Sequence, residues 1–199
     1  MDMNQQQLTD CAEYFLSRFE SLGATDIREL IPDEVFRVHH LAKSETLVAC
    51  GKQDNRLYLV IDGLLKIDHV TENGRHYVRA FLREDMFYAT LSSILTQSPN
   101  QCTVQAIEPC TICSIPFSCL QTGLDQSLKL NIAWRRYMEQ HFIRHERREL
   151  DLLGNDARKR YINFIRDYPS LESRIPNHLI AAYLGVTEQS LSRIKRNLT

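Results

Sequence analysis

The strongest constraint on the fold is a change of hydrophobic period near residue 116. From about residue 45 to 116, short β-rich runs alternate with turn residues. From residue 128 onward, apolar residues recur every three or four positions. The first part therefore reads as strands and the second as helices. Thr46 to Cys50 is one run, closed by Gly51, and Leu57 to Ile61 is another. Asp62 and Gly63 make a turn before Leu64 to Val70. Asn73-Gly74 is the strongest hairpin signal, because a type I′ turn needs positive φ at both central residues. Tyr77 to Leu82 should pair back across it. Cys102 to Ile107 and Thr111 to Ile115 follow, bounded by Pro109 and Pro116. Proline at a strand end fits its missing N–H. The pattern predicts an antiparallel barrel or roll.

Helices flank this region. Leu8, Cys11, Ala12, Phe15, Phe19 and Leu22 predict a helix over 5–22, stopped by Gly23. Pro32 to Leu41 reads as a further short helix. Residues 128–153 predict a long helix rich in Arg and Glu. Along it, Leu130, Trp134, Tyr137 and His141 form a seam at spacings of four, three and four. A partner helix from a second copy could use that seam. The alternative is that Trp134 and Tyr137 pack on their own roll. Ala157, Tyr161, Phe164 and Ile165 define one more amphipathic helix over 156–168, ended by Pro169. The class is α+β, with three parts: residues 1–127, 128–154 and 155–199.

The chain carries 24 basic and 25 acidic residues, a net charge of −1. Such a balance argues at first against a polyanionic partner. The charge is uneven, however. Residues 1–127 sum to −7 and residues 128–199 to +6. A basic C-terminal third points toward nucleic acid. Solvated helix faces bearing Arg–Glu pairs are the plainer explanation of charge alone.

Met1 to Asn4 offers no basic n-region, and no apolar h-region follows, so a signal peptide is not expected. No run approaches the ~20 apolar residues of a membrane span. The expected location is cytoplasmic, with no membrane partner. Six cysteines lie at 11, 50, 102, 110, 113 and 119. Cys110 and Cys113 have CxxC spacing, but within a strand they face opposite ways. No second pair completes a tetrahedral metal site, so buried free thiols are expected and no metal.

The most informative segment is Asn177 to Arg196. It reads as two helices joined by a tight turn. Ala181 lets the helices cross closely, and Gly185 supplies a left-handed turn residue. Ile180, Leu184, Val186, Leu191 and Ile194 fall on the inward faces. Thr187 caps the second helix. Glu188, Gln189, Ser192, Arg193 and Arg196 face outward, with donors and acceptors suited to base edges and phosphates. This pattern defines a helix-turn-helix whose second helix enters the major groove of double-stranded DNA.

With these pieces in order, the chain resembles the Crp/Fnr family of bacterial transcription regulators. Leu57 to Ile67 is similar to the family's strand–glycine–strand signature in its cyclic-nucleotide-binding-like roll. Glu72 to Arg75 is similar to its hairpin, and Arg174 to Leu198 resembles a short-tailed branch without a C-terminal wing. The resemblance implies a sensor roll, a dimerisation helix and a DNA-binding domain. It implies a homodimer reading a near-palindromic operator, with half-site centres ~34 Å apart. RNA polymerase is an implied partner.

Two departures qualify that resemblance. Cyclic-nucleotide-binding members carry a Gly-Glu pair and later an Arg-Ser or Arg-Thr pair. Here the corresponding stretches contain Tyr88, Ala89 and Thr90, then Gln101, Cys102 and Thr103. A cyclic phosphate without a cation would bind weakly, so this degenerate pocket is not expected to take cAMP. No cofactor is expected, and any other small-molecule effector is unspecified. Only Cys11 lies where oxygen-sensing relatives carry a cysteine cluster, which argues against an iron–sulfur centre. A haem would have to use His39, His40 or His76, for which satisfied histidines are the expected reading. The second departure is the ending at Thr199, just past the recognition helix. Phosphate contacts should then come from Lys195 and Arg196, or from Arg158 to Arg160, and affinity should lean on dimerisation.

An enzyme is the main rival class. A cupin-like metal site needs clustered His and Glu, and no P-loop, GxGxxG or GxSxG motif occurs. A second rival is an effector-binding or scaffold protein whose helix-turn-helix contacts protein. Neither is the expected function.

Overall fold

The computed structural model describes residues 3–71, 74 and 76–198. Helix α1 (Met3–Ser21) opens the chain and α2 (Ile27–Leu30) follows. Cys11, Ala12, Phe15, Leu16 and Phe19 form the buried face of α1, as their spacing dictates. Gly23 ends it at a φ of +102°, donating to the Glu20 carbonyl at 2.9 Å. Eight strands come next: β1 (Arg37–Leu41), β2 (Thr46–Val48), β3 (Arg56–Asp62), β4 (Leu65–Val70), β5 (His76–Leu82), β6 (Phe87–Tyr88), β7 (Thr103–Ala106) and β8 (Cys110–Pro116). They form two four-stranded sheets, ordered β1-β8-β3-β6 and β2-β7-β4-β5. The architecture is an antiparallel β-roll within an α+β chain.

Pro32 to Leu41 is not a helix. Asp33–Val35 makes a single 3₁₀ turn, and the chain then extends into β1. Antiparallel pairing with β8 decides the matter, setting Val38 opposite Cys113 and His39 opposite Ile112. Cross-strand pairing overrides a short helical pattern, which lacks the length to hold itself together. The predicted Asn73-Gly74 turn lies partly outside the described residues. Gly74 itself has a φ of +73° and donates to the Thr71 carbonyl at 2.8 Å.

The turn at Gly63 is closely packed. Its φ is +97°, and an added Cβ would lie 2.4 Å from the Pro109 carbonyl oxygen. Cys110 and Cys113 are free thiols buried on β8. The Cys110 thiol faces the Leu64 carbonyl at 3.5 Å, whereas Cys113 belongs to the core under α1. Burial pushes the Cys110 thiol up to about 11 and the Cys113 thiol up to about 12. Neither is a reactive thiolate near neutral pH.

After β8 come α4 (Phe117–Gln126) and α5 (Leu128–Gly154); α3 (Leu91–Thr96) lies earlier, between β6 and β7. The last helices are α6 (Ala157–Asp167), α7 (Asn177–Leu184) and α8 (Glu188–Arg196). No helix among the described residues is long and apolar enough to cross a membrane. The chain divides into two compact units, Met1–Ile67 with Phe81–Gln140, and Asp68–Ala80 with His141–Thr199.

The core of the first unit is aromatic. Phe15 meets Phe36 and Phe87 edge-on, with ring centroids 5.4 and 5.3 Å apart. Trp134 lies against Phe19 and Phe117 and stacks on Tyr137. The Tyr137 hydroxyl donates to the Phe87 carbonyl at 2.8 Å and accepts from the Phe87 N–H at 2.9 Å. Leu130 is fully buried in the same core. Of the seam Leu130, Trp134, Tyr137 and His141, Leu130 is buried in the chain's own core and Trp134 and Tyr137 are partly buried against it, the alternative weighed for those two rings. Complete burial of Leu130 stabilises by roughly 1.5–3 kcal/mol, and the partly buried rings of Trp134 and Tyr137 add to it. The helical period revealed an apolar face but not whose surface would cover it.

Candidate nucleic-acid interface

The second unit builds its helix-turn-helix around a small apolar centre. Phe164 of α6 meets Tyr183 of α7, and Ile180, Leu184 and Leu191 are buried with them. Ala181 is buried, and its carbonyl accepts from the N–H groups of Gly185 and Val186. Gly185 sits at φ +68°, ψ +36°, the left-handed conformation that ends α7. Val186 and Ile194 are half-buried.

Thr187 then caps α8. Its side-chain oxygen accepts from the Ser190 N–H at 3.2 Å. Beyond the cap, the apolar side of α8 turns inward through Leu191. Glu188, Gln189, Ser192, Arg193 and Arg196 are all exposed. Spacings of one, three, one and three place them on one side of the helix. Two guanidiniums, an amide, a hydroxyl and a carboxylate thus share an open face. Such a set can address both the acceptors of guanine and the donors of cytosine and adenine.

Lys195 is different. Its ammonium lies 2.8 Å from Glu172 Oε1 and 2.7 Å from Asn177 Oδ1, above the Tyr161 ring. These contacts hold the side chain within its own unit. Arg160 likewise donates to the Asn155 carbonyl at 3.1 Å, while Arg158 and Lys159 are exposed.

One residue had no sequence signal. Arg148 lies on α5, half-buried, with its guanidinium carbon 3.7 Å from the Tyr183 ring centroid. It also donates to the Tyr183 carbonyl. Three residues on, Asp151 Oδ1 accepts from Asn155 Nδ2 and Asn163 Nδ2, both at 2.6 Å.

His141 also lies on α5 in this unit. Its ring stands 4.5 Å from that of His145. Burial, with the charges of His145, Arg144 and Arg79 nearby, lowers its pKa from 6.5 to about 4.

The residues of the expected degenerate pocket lie in the first unit. Tyr88 pairs with Tyr58 across β6 and β3. Thr90 is buried and donates to the Asp54 carbonyl at 2.9 Å, whereas Ala89 is half-buried. Thr103 Oγ1 accepts from the Cys50 N–H at 3.4 Å, Cys102 is buried and Gln101 is exposed. The segment 50–54 thus hydrogen-bonds to both stretches. Asn100 is buried, and its amide is spent on the Cys102 backbone. None of these side chains is cationic.

The histidines considered for haem have other contacts. His39 Nε2 lies 2.7 Å from Ser114 Oγ, His40 Nδ1 lies 3.4 Å from Thr111 Oγ1, and His76 Nε2 lies 3.2 Å from Asp68 Oδ2. Among the described residues, no group of three or more His, Cys, Asp or Glu side chains could hold a metal ion.

A β-roll, a long helix and a helix-turn-helix follow one another along the chain. Residues 38–127 match the family model of the cyclic nucleotide-binding domain. The Global nitrogen regulator of Synechococcus elongatus is 22% identical over 195 residues, covering 92% of this chain and 85% of that protein. The Transcriptional activator protein FnrA of Stutzerimonas stutzeri is 26% identical over 201 residues, covering 96% and 81%. Among solved structures, FixK2 from Bradyrhizobium japonicum superposes with a TM-score of 0.71 at 17% identity, over 82% of this chain and 84% of that one. A CRP/FNR family transcriptional regulator from Thermus thermophilus gives a TM-score of 0.63 at 15% identity, over 81% and 85%. Residues 38–127 thus carry a cyclic nucleotide-binding domain, and over most of its length the chain is similar to transcription regulators of the Crp/Fnr type.

Proposed function

We propose that this regulator binds duplex DNA as a homodimer, inserting α8 of each protomer into successive major grooves of a near-palindromic operator. The open face of Glu188, Gln189, Ser192, Arg193 and Arg196 carries this reading. In this reading Arg193 and Gln189 address base edges and Arg196 a phosphate near the end of α8. RNA polymerase is the expected protein partner once the operator is occupied.

The dimer uses a different face of α5 from the one that packs on the roll. Phe142, Leu150 and Leu153 are 68%, 62% and 79% exposed, and Ile143 is 37% exposed. Ile143 and Leu150 stand seven residues apart, with Leu153 three further on, which is the spacing of a helix–helix seam. The effector, if any, is not cAMP, because the pocket residues offer no cation to a cyclic phosphate.

Titrating a fluorescent duplex at increasing salt tests the DNA reading. Affinity should fall steeply as phosphate counterions are released. Binding that ignores salt, or no binding, would assign the helix-turn-helix to protein contacts.

A further inference from the structure

We propose that Arg148 is a positioning residue for DNA reading, one that fixes the α7–α8 turn from the long helix beneath it. The inference rests on the DNA reading above. It begins with the carbonyl groups at the end of α7. The last carbonyls of any helix lack intrahelical donors. The Ala181 carbonyl takes the N–H groups of Gly185 and Val186. Arg148 supplies a donor to the Tyr183 carbonyl, two residues before the Gly185 turn. A cation there also faces the negative end of the α7 dipole.

The same guanidinium covers the Tyr183 ring at 3.7 Å. That ring is held in turn by Phe164, at 5.5 Å, and by Tyr168, perpendicular at 5.9 Å. One side chain therefore locks both the backbone and the ring of Tyr183. A planar guanidinium can lie flat on the ring and still aim an in-plane N–H at the carbonyl, a fixed pairing that an ammonium on a flexible stem does not reproduce. Burial lowers the Arg148 pKa, offset in part by Tyr183, Tyr168 and Asp151 nearby. The group still stays charged, because a guanidinium starts from so high a value.

Asp151 lies one turn along the same helix face and grips Asn163 of α6. The last turns of α5 thus hold α6 through a carboxylate and α7 through a guanidinium. Gly185 follows directly, and α8 starts three residues later. Any loosening at Arg148 is passed to the start of the reading helix.

The test uses the full chain and its Arg148→Lys variant. Two duplexes serve as probes: the tightest one recovered from a random-sequence pool by the wild type, and a heterogeneous duplex of equal length. Affinity for each is measured across a salt series, with amide hydrogen exchange in the absence of DNA. The variant should lose about tenfold of its preference for the selected duplex while affinity for the heterogeneous duplex and the salt slope stay unchanged. Amides of Gly185 and Val186 should exchange about tenfold faster, and those of the β-roll should not change. An unchanged preference, or unchanged exchange at the turn, overturns the inference. A salt slope lower by about one would instead make Arg148 a phosphate contact and also overturn it. Wild-type chain that binds neither duplex overturns the DNA reading itself, and the role of Arg148 with it.

Discussion

Lys195 and Glu172 form an ion pair at 2.8 Å between α8 and the loop that precedes α7. Burial alone would raise the Glu172 pKa, but the hydrogen bonds from Lys195 and Tyr161 outweigh it and leave the value lowered. A lowered carboxylate pKa stabilises the fold above the unfolded value and loses that contribution as pH falls through the folded one. The side chains are 28% and 37% exposed, so solvent screens the pair. Lys195→Ala should therefore cost about 1 kcal/mol in urea unfolding near neutral pH, and less in acid. It should leave the salt slope of DNA binding unchanged, whereas Arg196→Ala should lower that slope by about one. A slope lowered by Lys195→Ala would return that lysine to the DNA backbone.

His141 gives the opposite pH signature to a stabilised imidazolium. Its folded pKa is lowered to about 4 from 6.5, by burial first and then by His145, Arg144 and Arg79. Between those two values the unfolded chain binds more protons than the folded one, so stability falls as pH drops through that window. His141→Gln should flatten the pH dependence of the urea midpoint between about 6.5 and about 4. An unaltered profile would show that His141 does not face those cations.

The two turn glycines should respond differently to a methyl group. Gly63→Ala forces a Cβ to within 2.4 Å of the Pro109 carbonyl while holding φ at +97°. We expect a loss of about 2–4 kcal/mol, from overpacking and backbone strain together. A Cβ at Gly185 meets nothing within 4 Å, so only its positive φ opposes a side chain. Gly185→Ala should cost about 1–2 kcal/mol. Thermal unfolding of both variants checks the order.

Cyclic AMP should not bind tighter than micromolar by calorimetry. Tyr88, Ala89, Thr90, Gln101, Cys102 and Thr103 carry no cation, and the buried Asn100 amide is already satisfied. Tight binding would mean that the phosphate finds a cation elsewhere in the roll.

Much of this fold was legible from hydrophobic period. The strand runs, the long helix and the two helices around Gly185 follow from spacing and turn chemistry alone. What was not legible depends on partners distant in the chain. Phe87–Tyr88 is too short a run to register as a strand without β3 beside it. The seam at Leu130, Trp134 and Tyr137 looked available to a second copy, because period shows that a face is apolar and not what covers it. Lys195 looked like its neighbour Arg196 until Glu172, 23 residues earlier, claimed it. Arg148 stands among Arg144 and Arg147 with nothing local to separate it, and only the packing of Tyr183 does so.

The central claim is that α8 reads base edges through its open face. The most direct measurement compares wild type and Arg193→Ala on a panel of duplexes, each with one base pair changed within the selected operator. Arg193→Ala should lose about 1–3 kcal/mol on the selected sequence, with discrimination relaxed at one position in each half-site. An equal loss on every duplex in the panel would make Arg193 a phosphate contact and contradict the assignment of α8 as the reading helix.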